Sequence, residues 1–442
     1  MKLSQLHIQH YRQFDDLKLD LTYPEGHEKA GQPLDKVCFI GQSGTGKTTL
    51  LRFVYSLAGR GPGASYDWQN YGSKQSIDAN FQHFERTWSV NSSVPGSASF
   101  SGEPPLGGQS EPLDCQVLYF PVENDLNLRS FGGADDERNP FVVEEPGMQY
   151  GRTVDRRRPQ ALLFSDKFAT EIWEDISKKV RAFQRSEADL KIRLGDASLK
   201  GQQIDVKSLV ASWEAENPNP LDAIADGCLD RILSKFQLRT KRSVERVAEL
   251  NGVQIESTAT GETIPYLGLS TGTRQIIFTA LPMFQLGLEN GMVLMDEPET
   301  SLYPDLQQEI IDYYTSFGTN NQFFFATHSP IIAASFEPWE VVELAFDDGG
   351  KVKRVEHYEG ERHVDNYKIF PEYLDWSSIL LKLFSVHNPG NPKRDKLLDE
   401  LADLNLRKKH FDTASASHEE RQAMFGAYQE LAKKLGWKAV RS

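Results

Sequence analysis

The chain has 442 residues, 39% of them apolar and 25% charged, with a formal net charge of −14. That length can bury a sizeable core as one large α/β domain with insertions or as two to three domains. The acidity argues against a generally basic nucleic-acid-binding surface while leaving room for a local basic groove, and no apolar run is long enough to span a membrane.

The N-terminal MKLSQLHIQHYRQF lacks the apolar stretch of a signal peptide, so a soluble cytoplasmic protein is expected. Leu3, Leu6 and Ile8, then Leu17, Leu19 and Leu21, alternate with polar residues, predicting two strands joined by a turn near Tyr11–Asp16. Lys36–Ile40 is a short apolar strand, and Thr48–Leu57 reads as a helix. Residues 59–113 are rich in Gly, Ser, Pro and Asn, and Asn91–Glu111 reads as a long loop. A strand follows at Gln116–Phe120.

Residues 129–160 are irregular and carry the cluster Arg156, Arg157, Arg158, a solvated loop or a phosphate contact. From Ser165 to Leu238 apolar residues recur three or four apart, as in Ile172, Ile176, Val180 and Phe183, predicting a compact helical insertion without sustained heptads. Val244–Leu250 and Val253–Ser257 flank Asn251-Gly252 like a hairpin. Further on come a helix at 273–289, a buried strand at Met292–Met295, a helix at Pro304–Phe317, a buried strand at Gln322–Ala326, a hairpin over 340–358, and helices from Pro371 onward with a break at Asn388–Pro392. Strands alternating with helices imply a mixed, mostly parallel sheet with an antiparallel N-terminal subdomain. Cys38, Cys115 and Cys228 lie far apart without metal-ligand spacing and read as free thiols in a reducing compartment.

Four motifs carry chemistry. Gly41-Gln42-Ser43-Gly44-Thr45-Gly46-Lys47-Thr48 fits the phosphate loop G-x-x-x-x-G-K-[ST] between a strand and a helix. Its glycines let backbone amides turn toward phosphates at a helix N-terminus, with Thr49 following in the first turn. Lys47 would reach the β and γ phosphates of ATP, and Thr48 would ligate Mg²⁺. Met292–Met295 delivers Asp296 and Glu297 at the carboxyl end of a buried strand, where ligands sit in open parallel sheets. Asp296 suits Mg²⁺, and Glu297 suits orienting or deprotonating a water. Leu269-Ser270-Thr271-Gly272 is a capped helix start. Phe323-Phe324-Phe325-Ala326-Thr327-His328 ends an apolar strand in a histidine. Arg12, in the hairpin His10-Tyr11-Arg12-Gln13-Phe14, is within plausible reach of nucleotide, or is an exposed turn arginine.

In chain order, phosphate loop, Leu269–Gly272, Asp-Glu strand and strand-end histidine, the four motifs resemble those of ATP-binding-cassette (ABC) ATPases. The resemblance implies that Ser270 and Gly272 are signature residues completing the nucleotide site of a second subunit. It also implies that His328 is the switch histidine touching the γ-phosphate and that Ser301-Leu302-Tyr303-Pro304 is the inter-subunit loop. Phe120-Pro121-Val122-Glu123 holds the place of the glutamine loop but contains no glutamine. The HYRQF hairpin and the string DEPETSLYP resemble the branch containing RecF, the SMC chromosome ATPases and the overcoming-lysogenization-defect (OLD) nucleases. Tyr303 stands where that last group often has histidine.

Size and the modest helical insertion resemble the stand-alone ATPase subunits of bacterial antiphage defence systems, of the PARIS AriA or Septu PtuA type. That resemblance implies a regulatory ATPase pairing with itself, as a head-to-head dimer or higher oligomer. It would control a separate effector such as a nuclease and answer a phage-derived trigger. A DNA-repair or chromosome-associated ATPase, and a nucleotide-gated scaffold with little turnover, are the alternatives. Beyond Pro330 no Asp-x-Asp pair occurs, and His357, His363, His387, His410 and His418 form no metal pattern, so nuclease activity within the chain is not expected. The expected organisation is an N-terminal lobe (1–58), an insertion with a return strand (59–128), a helical insertion (129–240), a C-terminal lobe (241–358) and a helical tail (359–442). Residues 391–442 carry 11 Lys/Arg against 8 Asp/Glu, a candidate contact surface or a solvated amphipathic helix.

Overall fold

The computed structural model describes residues 1–58, 76–83, 86–94, 97–102, 116–121, 160–163, 166–201, 205–243, 253–265, 268–384, 386, 391–411 and 417–435. The chain divides into two compact units, Met1–Leu374 and Asp375–Ser442.

In the first unit, β1 (Lys2–Tyr11) and β2 (Phe14–Asp20) form the expected hairpin. The alternation of β1 slips between Leu3 and Leu6 because its pairing shifts register between Leu3 and Gln5. This shift turns both leucines to the same buried face. β3 (Lys36–Gly41) leads through the glycine loop into α1 (Lys47–Ala58). Three strands follow, β4 (Ser76–His83), β5 (Arg86–Val94) and β6 (Ser97–Gly102), paired antiparallel to one another and, through β4, to β1. The long loop expected over Asn91–Glu111 is therefore partly strand. Ser and Asn residues here tolerate an edge meander whose backbone bonds come from its neighbours.

β7 (Gln116–Phe120) and β8 (Gln160–Leu163) pair in parallel. The helical insertion consists of α2 (Asp166–Leu199), α3 (Val206–Glu216), α4 (Pro220–Ile224) and α5 (Asp230–Leu233). A small antiparallel sheet follows: β9 (Leu238–Thr240), β10 (Ile255–Ser257) and β11 (Thr263–Ile264). Ile255–Ser257 thus pairs with strands on both sides, while Val244–Leu250 and the Asn251-Gly252 turn lie outside the described residues.

α6 (Thr271–Leu286) is capped by Ser270 and ends at Gly287 in the left-handed conformation. β12 (Met292–Asp296) precedes α7 (Pro304–Gln307) and α8 (Ile310–Thr315). One helix was expected there. Glu309, at φ −111°, separates two short ones. β13 (Gln322–Ala326), α9 (Pro330–Ala333), β14 (Val341–Phe346) and β15 (Val352–Val355) follow.

The main sheet runs β6-β5-β4-β1-β2-β15-β14-β3-β13-β12-β7-β8. From β14 to β8 all pairings are parallel; the β6 to β2 block is antiparallel. β12 and β13 are buried along their whole length, as strands covered on both faces must be, and α1 packs across β7, β12 and β13. The architecture is thus mixed α/β with an antiparallel N-terminal block. Among the described residues no helix is long and apolar enough to cross a membrane. The second unit contains α10 (Trp376–Lys382), α11 (Pro392–Phe411) and α12 (His418–Lys434), the last opened by a capping box from Ser417 and Glu420. Cys38 and Cys228 are buried free thiols; Cys115 lies outside the described residues.

One buried side chain stitches the antiparallel block to the parallel one. Gln322 is fully buried; its amide donates to the carbonyls of Leu3 (3.0 Å) and Leu34 (2.9 Å), and its Oε1 accepts from Leu3 N–H (2.6 Å). Replacing it strands polar backbone groups away from water, which costs far more than the net value of the bonds themselves. Gln322→Leu is expected to destabilise the protein by about 2–4 kcal/mol, read as a lower midpoint in chemical denaturation. A midpoint within error of the parent would remove Gln322 from this role.

Candidate functional site

The loop after β3 is shaped by sterics. Gly41 has φ 143°, and a Cβ there would lie 2.3 Å from the Leu344 carbonyl oxygen of β14. Gly46 has φ 90°, and a Cβ would meet the Phe14 ring at 2.5 Å and the Gln13 amide at 2.6 Å. Only glycine fits both places. Thr45, fully buried, bonds the Gln42 carbonyl through its hydroxyl (2.8 Å), and Leu50 N–H closes the first helical bond on Gly46 (2.9 Å). Gln42, Ser43 and Gly44 form the exposed crown, and Gln13 of the β1–β2 turn donates to the Gly44 carbonyl at 3.4 Å. Thr48 and Thr49 are half-buried in the first turn of α1. Lys47 is nearly buried; its Nζ donates to the Gly41 carbonyl (3.0 Å) and stands 2.8 Å from His328 Nε2. Burial pushes its pKa down, against the pull of Glu297 and Asp296.

Parallel pairing of β3, β13 and β12 brings the acids to the same edge. Asp296 ends β12, is 4% exposed and hydrogen-bonds the Thr48 hydroxyl. Burial pushes its carboxyl up to about 6, helped by the charge of Glu297 and opposed by Thr48, Arg52 and Lys47. Glu297 adopts the left-handed conformation (φ 49°), and its N–H bonds Ala326 of β13 at 2.8 Å. Such a backbone costs on the order of 1 kcal/mol for a non-glycine residue and persists where the surroundings enforce it. The Glu297 carboxyl lies 3.6 Å from His328 Nε2 and accepts from the His328 N–H at 3.4 Å. It is pushed up to about 7, first by burial, then by the charge of Glu299 and a hydrogen bond to it. A hydrogen bond between two carboxyl groups needs a proton, so Glu297 beside Glu299 keeps its own proton to higher pH. The His328 ring is pushed down by burial and by Lys47, which suits a neutral imidazole accepting from the ammonium.

The remaining sequence candidates fall into two groups. Ser270 caps α6, its hydroxyl accepting from Thr273 N–H at 3.1 Å. A Cβ on Gly272 would lie 2.5 Å from the Ser301 carbonyl and 3.0 Å from the Leu302 side chain. None of these contacts reaches the phosphate loop, so Lys47, Thr48, Asp296, Glu297 and His328 meet within one chain while Ser270 and Gly272 do not join them. Arg12 sits at the hairpin tip with φ 51°, its guanidinium 5.4 Å from the Tyr11 ring centroid. The Arg156–Arg158 cluster and Val122–Asp125 lie outside the described residues. Sequence reasoning missed Gln13, Arg52, Glu299 and Thr327. The signal for Glu299 was present in the acid spacing of DEPE; Gln13 and Arg52 become visible only once the hairpin and α1 are folded around the loop.

A protein-family comparison agrees with an ATPase domain. Residues 154–333, less than half of the chain, match the family model described as AAA ATPase domain. This segment holds Ser270, Gly272, Asp296, Glu297 and His328. Solved structures with similarity include the Smc head domain with an extended coiled coil bound to the C-terminal domain of ScpA, derived from Pyrococcus furiosus. It is 12% identical over 80% of this chain and 96% of that one, with a TM-score of 0.41. The SmcHead bound to the C-winged helix domain of ScpA (10% identity, 80% and 97% coverage, TM-score 0.38) and the SMC head domain from Thermotoga maritima (12%, 80% and 100%, 0.37) are also similar.

The raised carboxyl of Asp296 has a consequence for stability. Because it holds its proton to higher pH folded than unfolded, the native state binds more protons between about pH 4 and 6, and stability falls as pH rises through that window. Asp296→Asn is therefore expected to stabilise the nucleotide-free protein at pH 8 by about 1–3 kcal/mol, with the gain vanishing near pH 4. Thermal unfolding in a chelating buffer across pH 4–8 measures it; a pH-independent difference would refute the assignment of cause.

Proposed function

We propose that the chain is an ABC-type ATPase that binds ATP with Mg²⁺ and hydrolyses it between two copies of itself. The observation that carries this reading is the meeting of Lys47, Thr48, Asp296, Glu297 and His328 at one sheet edge. In it, the amides from Gly41 to Lys47 cradle the phosphates, with Gln42, Ser43, Gly44, Thr45 and Gly46 as the walls. Thr49 and Arg12 lie on the nucleotide's flank. Lys47 exchanges the Gly41 carbonyl and His328 for phosphate oxygens.

The hydroxyl–carboxylate pair of Thr48 and Asp296 is a hard oxygen set that fits Mg²⁺. Among the described residues no three His, Cys, Asp or Glu side chains cluster around a metal position, so the ligand's own oxygens would complete the shell. The metal would neutralise charge on the transferred phosphoryl group. Glu297, poised near neutrality, would orient and deprotonate the attacking water, and His328 would contact the γ-phosphate.

Ser270 and Gly272 would serve the partner's nucleotide, which explains why they stay away from their own phosphate loop. The sequence resemblance to antiphage ATPase subunits supports a further step. There, ATP would shift the assembly between states that hold or release a separate effector, such as a nuclease, in response to a phage-derived trigger. A ligand does so only by binding one state better than the other.

Glu297→Gln is expected to bind ATP normally and to turn over at least about 100-fold more slowly, whereas Lys47→Ala loses binding. Normal hydrolysis by Glu297→Gln sinks the mechanism.

The trans arrangement has its own test. Lys47→Ala and Ser270→Arg, each inactive alone, are expected to recover activity when mixed. Random pairing of equal amounts gives about a quarter of the parent rate, since half the dimers keep one intact site. No recovery, with mixed dimers verified by differential tagging, would place both halves of the site in one chain.

A further inference from the structure

We propose that Glu299 is a positioning residue that locks the His328 loop to the Glu297 turn through Thr327; this rests on the ATPase reading above. Glu299 lies in the turn after β12 and is buried to 9% exposure, with no lysine or arginine paired to it among the described residues. Its Oε1 accepts from the hydroxyl of Thr327, itself fully buried at the end of β13. Its other oxygen, Oε2, accepts from no amide or hydroxyl among the described residues, and the carboxyl otherwise meets that of Glu297. A buried carboxylate without a cation is expensive, and an apolar residue of similar size would pack at lower cost. What this carboxylate does with its surroundings therefore matters more than its contribution to stability.

The Thr327 hydroxyl has one proton, and Glu299 takes it. That orientation leaves a lone pair to accept from Ser329 N–H at 2.8 Å. Thr327 N–H is meanwhile held by the Phe39 carbonyl of β3 (3.1 Å). His328 is thus bracketed: Thr327 before it is tied to β3 and to the Glu299 turn, and Ser329 after it is tied back to Thr327. On the other side, Glu297 begins the same turn that Glu299 continues, with Thr300 N–H and hydroxyl on the Glu297 carbonyl at 3.1 and 2.9 Å. Glu297 N–H on the Ala326 carbonyl joins the two segments at the backbone, and the Glu299 carboxylate adds the side-chain tie that fixes the pitch of the His328 loop against Glu297, the two groups that must face the γ-phosphate and its attacking water together. A second link, Ser329 hydroxyl to Gln307 Oε1 (2.8 Å), supports the loop from α7 and can hold it roughly, though not its pitch, when Glu299 is cut away.

The test is steady-state ATP hydrolysis by the full chain, with nucleotide affinity measured separately and folding checked by thermal unfolding. Glu299→Ala and Thr327→Val are each expected to lower kcat by about 10- to 100-fold, the usual cost of displacing a reacting group by an ångström or less, with ATP affinity within about threefold of the parent. The double variant is expected to be no worse than either single one, because both cut the same link. Thr327→Ser retains the hydroxyl and is expected to keep kcat within about threefold; Glu299→Gln retains the accepting oxygen but removes the charge beside Glu297, and is expected to move the kcat–pH profile to lower pH while keeping its plateau within about threefold. Parent kcat in Glu299→Ala, loss of ATP affinity in step with kcat, additive losses in the double variant, or a Glu299→Gln defect as deep as that of alanine would each overturn the assignment. If Glu299→Ala does not fold, the Thr327→Val and Thr327→Ser pair decides by the same criteria. A parent protein with no turnover, or a Glu297→Gln variant as active as the parent, fails the ATPase reading and takes this inference with it. Loss of turnover in Glu297→Gln alongside parent kcat in Glu299→Ala fails the inference alone.

Discussion

The parallel pairing of three strands is the constraint on which the rest depends. β3, β13 and β12 run side by side in register, Phe39 opposite Ala326 and Ala326 opposite Asp296. All three end on one edge, so the phosphate loop, the His328 segment and the acid pair emerge together. A slip of one residue would turn every side chain of a strand to the opposite face. Here both faces are buried, and the long aromatic run Phe323–Phe325 resists such a slip through packing with Phe39 and Phe336. The geometry of the candidate site is therefore a property of strand ends, and its precision comes from hydrophobic packing below the site.

At that edge the electrostatics oppose folding. Asp296, Glu297 and Glu299 crowd into partial burial with Lys47 as a nearby cation, and burial is the largest cause of every resolved shift among them. In the structure, hydrogen bonds from Thr48 and Thr327 and the proximity of His328 temper this cost. On the proposed reading, Mg²⁺ and phosphates change the balance. The acids would gain a cation to face, and Lys47 would gain anions in place of a carbonyl and an imidazole. A site that is electrostatically strained without its ligand can direct that strain into ligand binding, and nucleotide would then stabilise the fold by simple linkage.

Much of this edge was legible in the sequence because its motifs are local. A phosphate loop is eight consecutive residues, and the apolar strands before Asp296 and His328 announce themselves by composition. The β1–β2 hairpin was equally readable from its alternation. What could not be read were features created by neighbours. β4 to β6 resemble loop because Ser is frequent in them and the sequence around them is rich in Gly, Ser and Pro; the strand state comes from pairing with β1 and with one another, not from propensity. The break between α7 and α8 hides in a continuous helical pattern, and falls where Glu309, at φ −111°, bonds the Leu306 carbonyl three residues back. Gln13 on the glycine loop and Glu299 on Thr327 are contacts between segments far apart in the chain, which no periodicity encodes.

The placement of Gly272 links the two halves of the proposed site. Its missing side chain lets α6 sit directly on the Ser301 carbonyl and on Leu302, and Leu302 N–H bonds the Glu299 carbonyl at 2.9 Å. Ser301, at φ 64°, is a second non-glycine residue held in the left-handed region within five positions of Glu297. The segment from Glu297 to Leu302 is thus bent twice and clamped at both ends, by β13 through Ala326 and by the N-terminus of α6. On the proposed reading, that helix start serves the partner's nucleotide while Glu297 serves the chain's own. A rigid, strained connection of six residues would then carry any displacement at one nucleotide to the other. Packed elements with two discrete arrangements transmit such shifts, whereas soft loops absorb them. The strain gives a physical reason for occupancy of one site to be felt at the other while each site still turns over by itself, and on that reading locates the coupling in the same turn that carries Glu299.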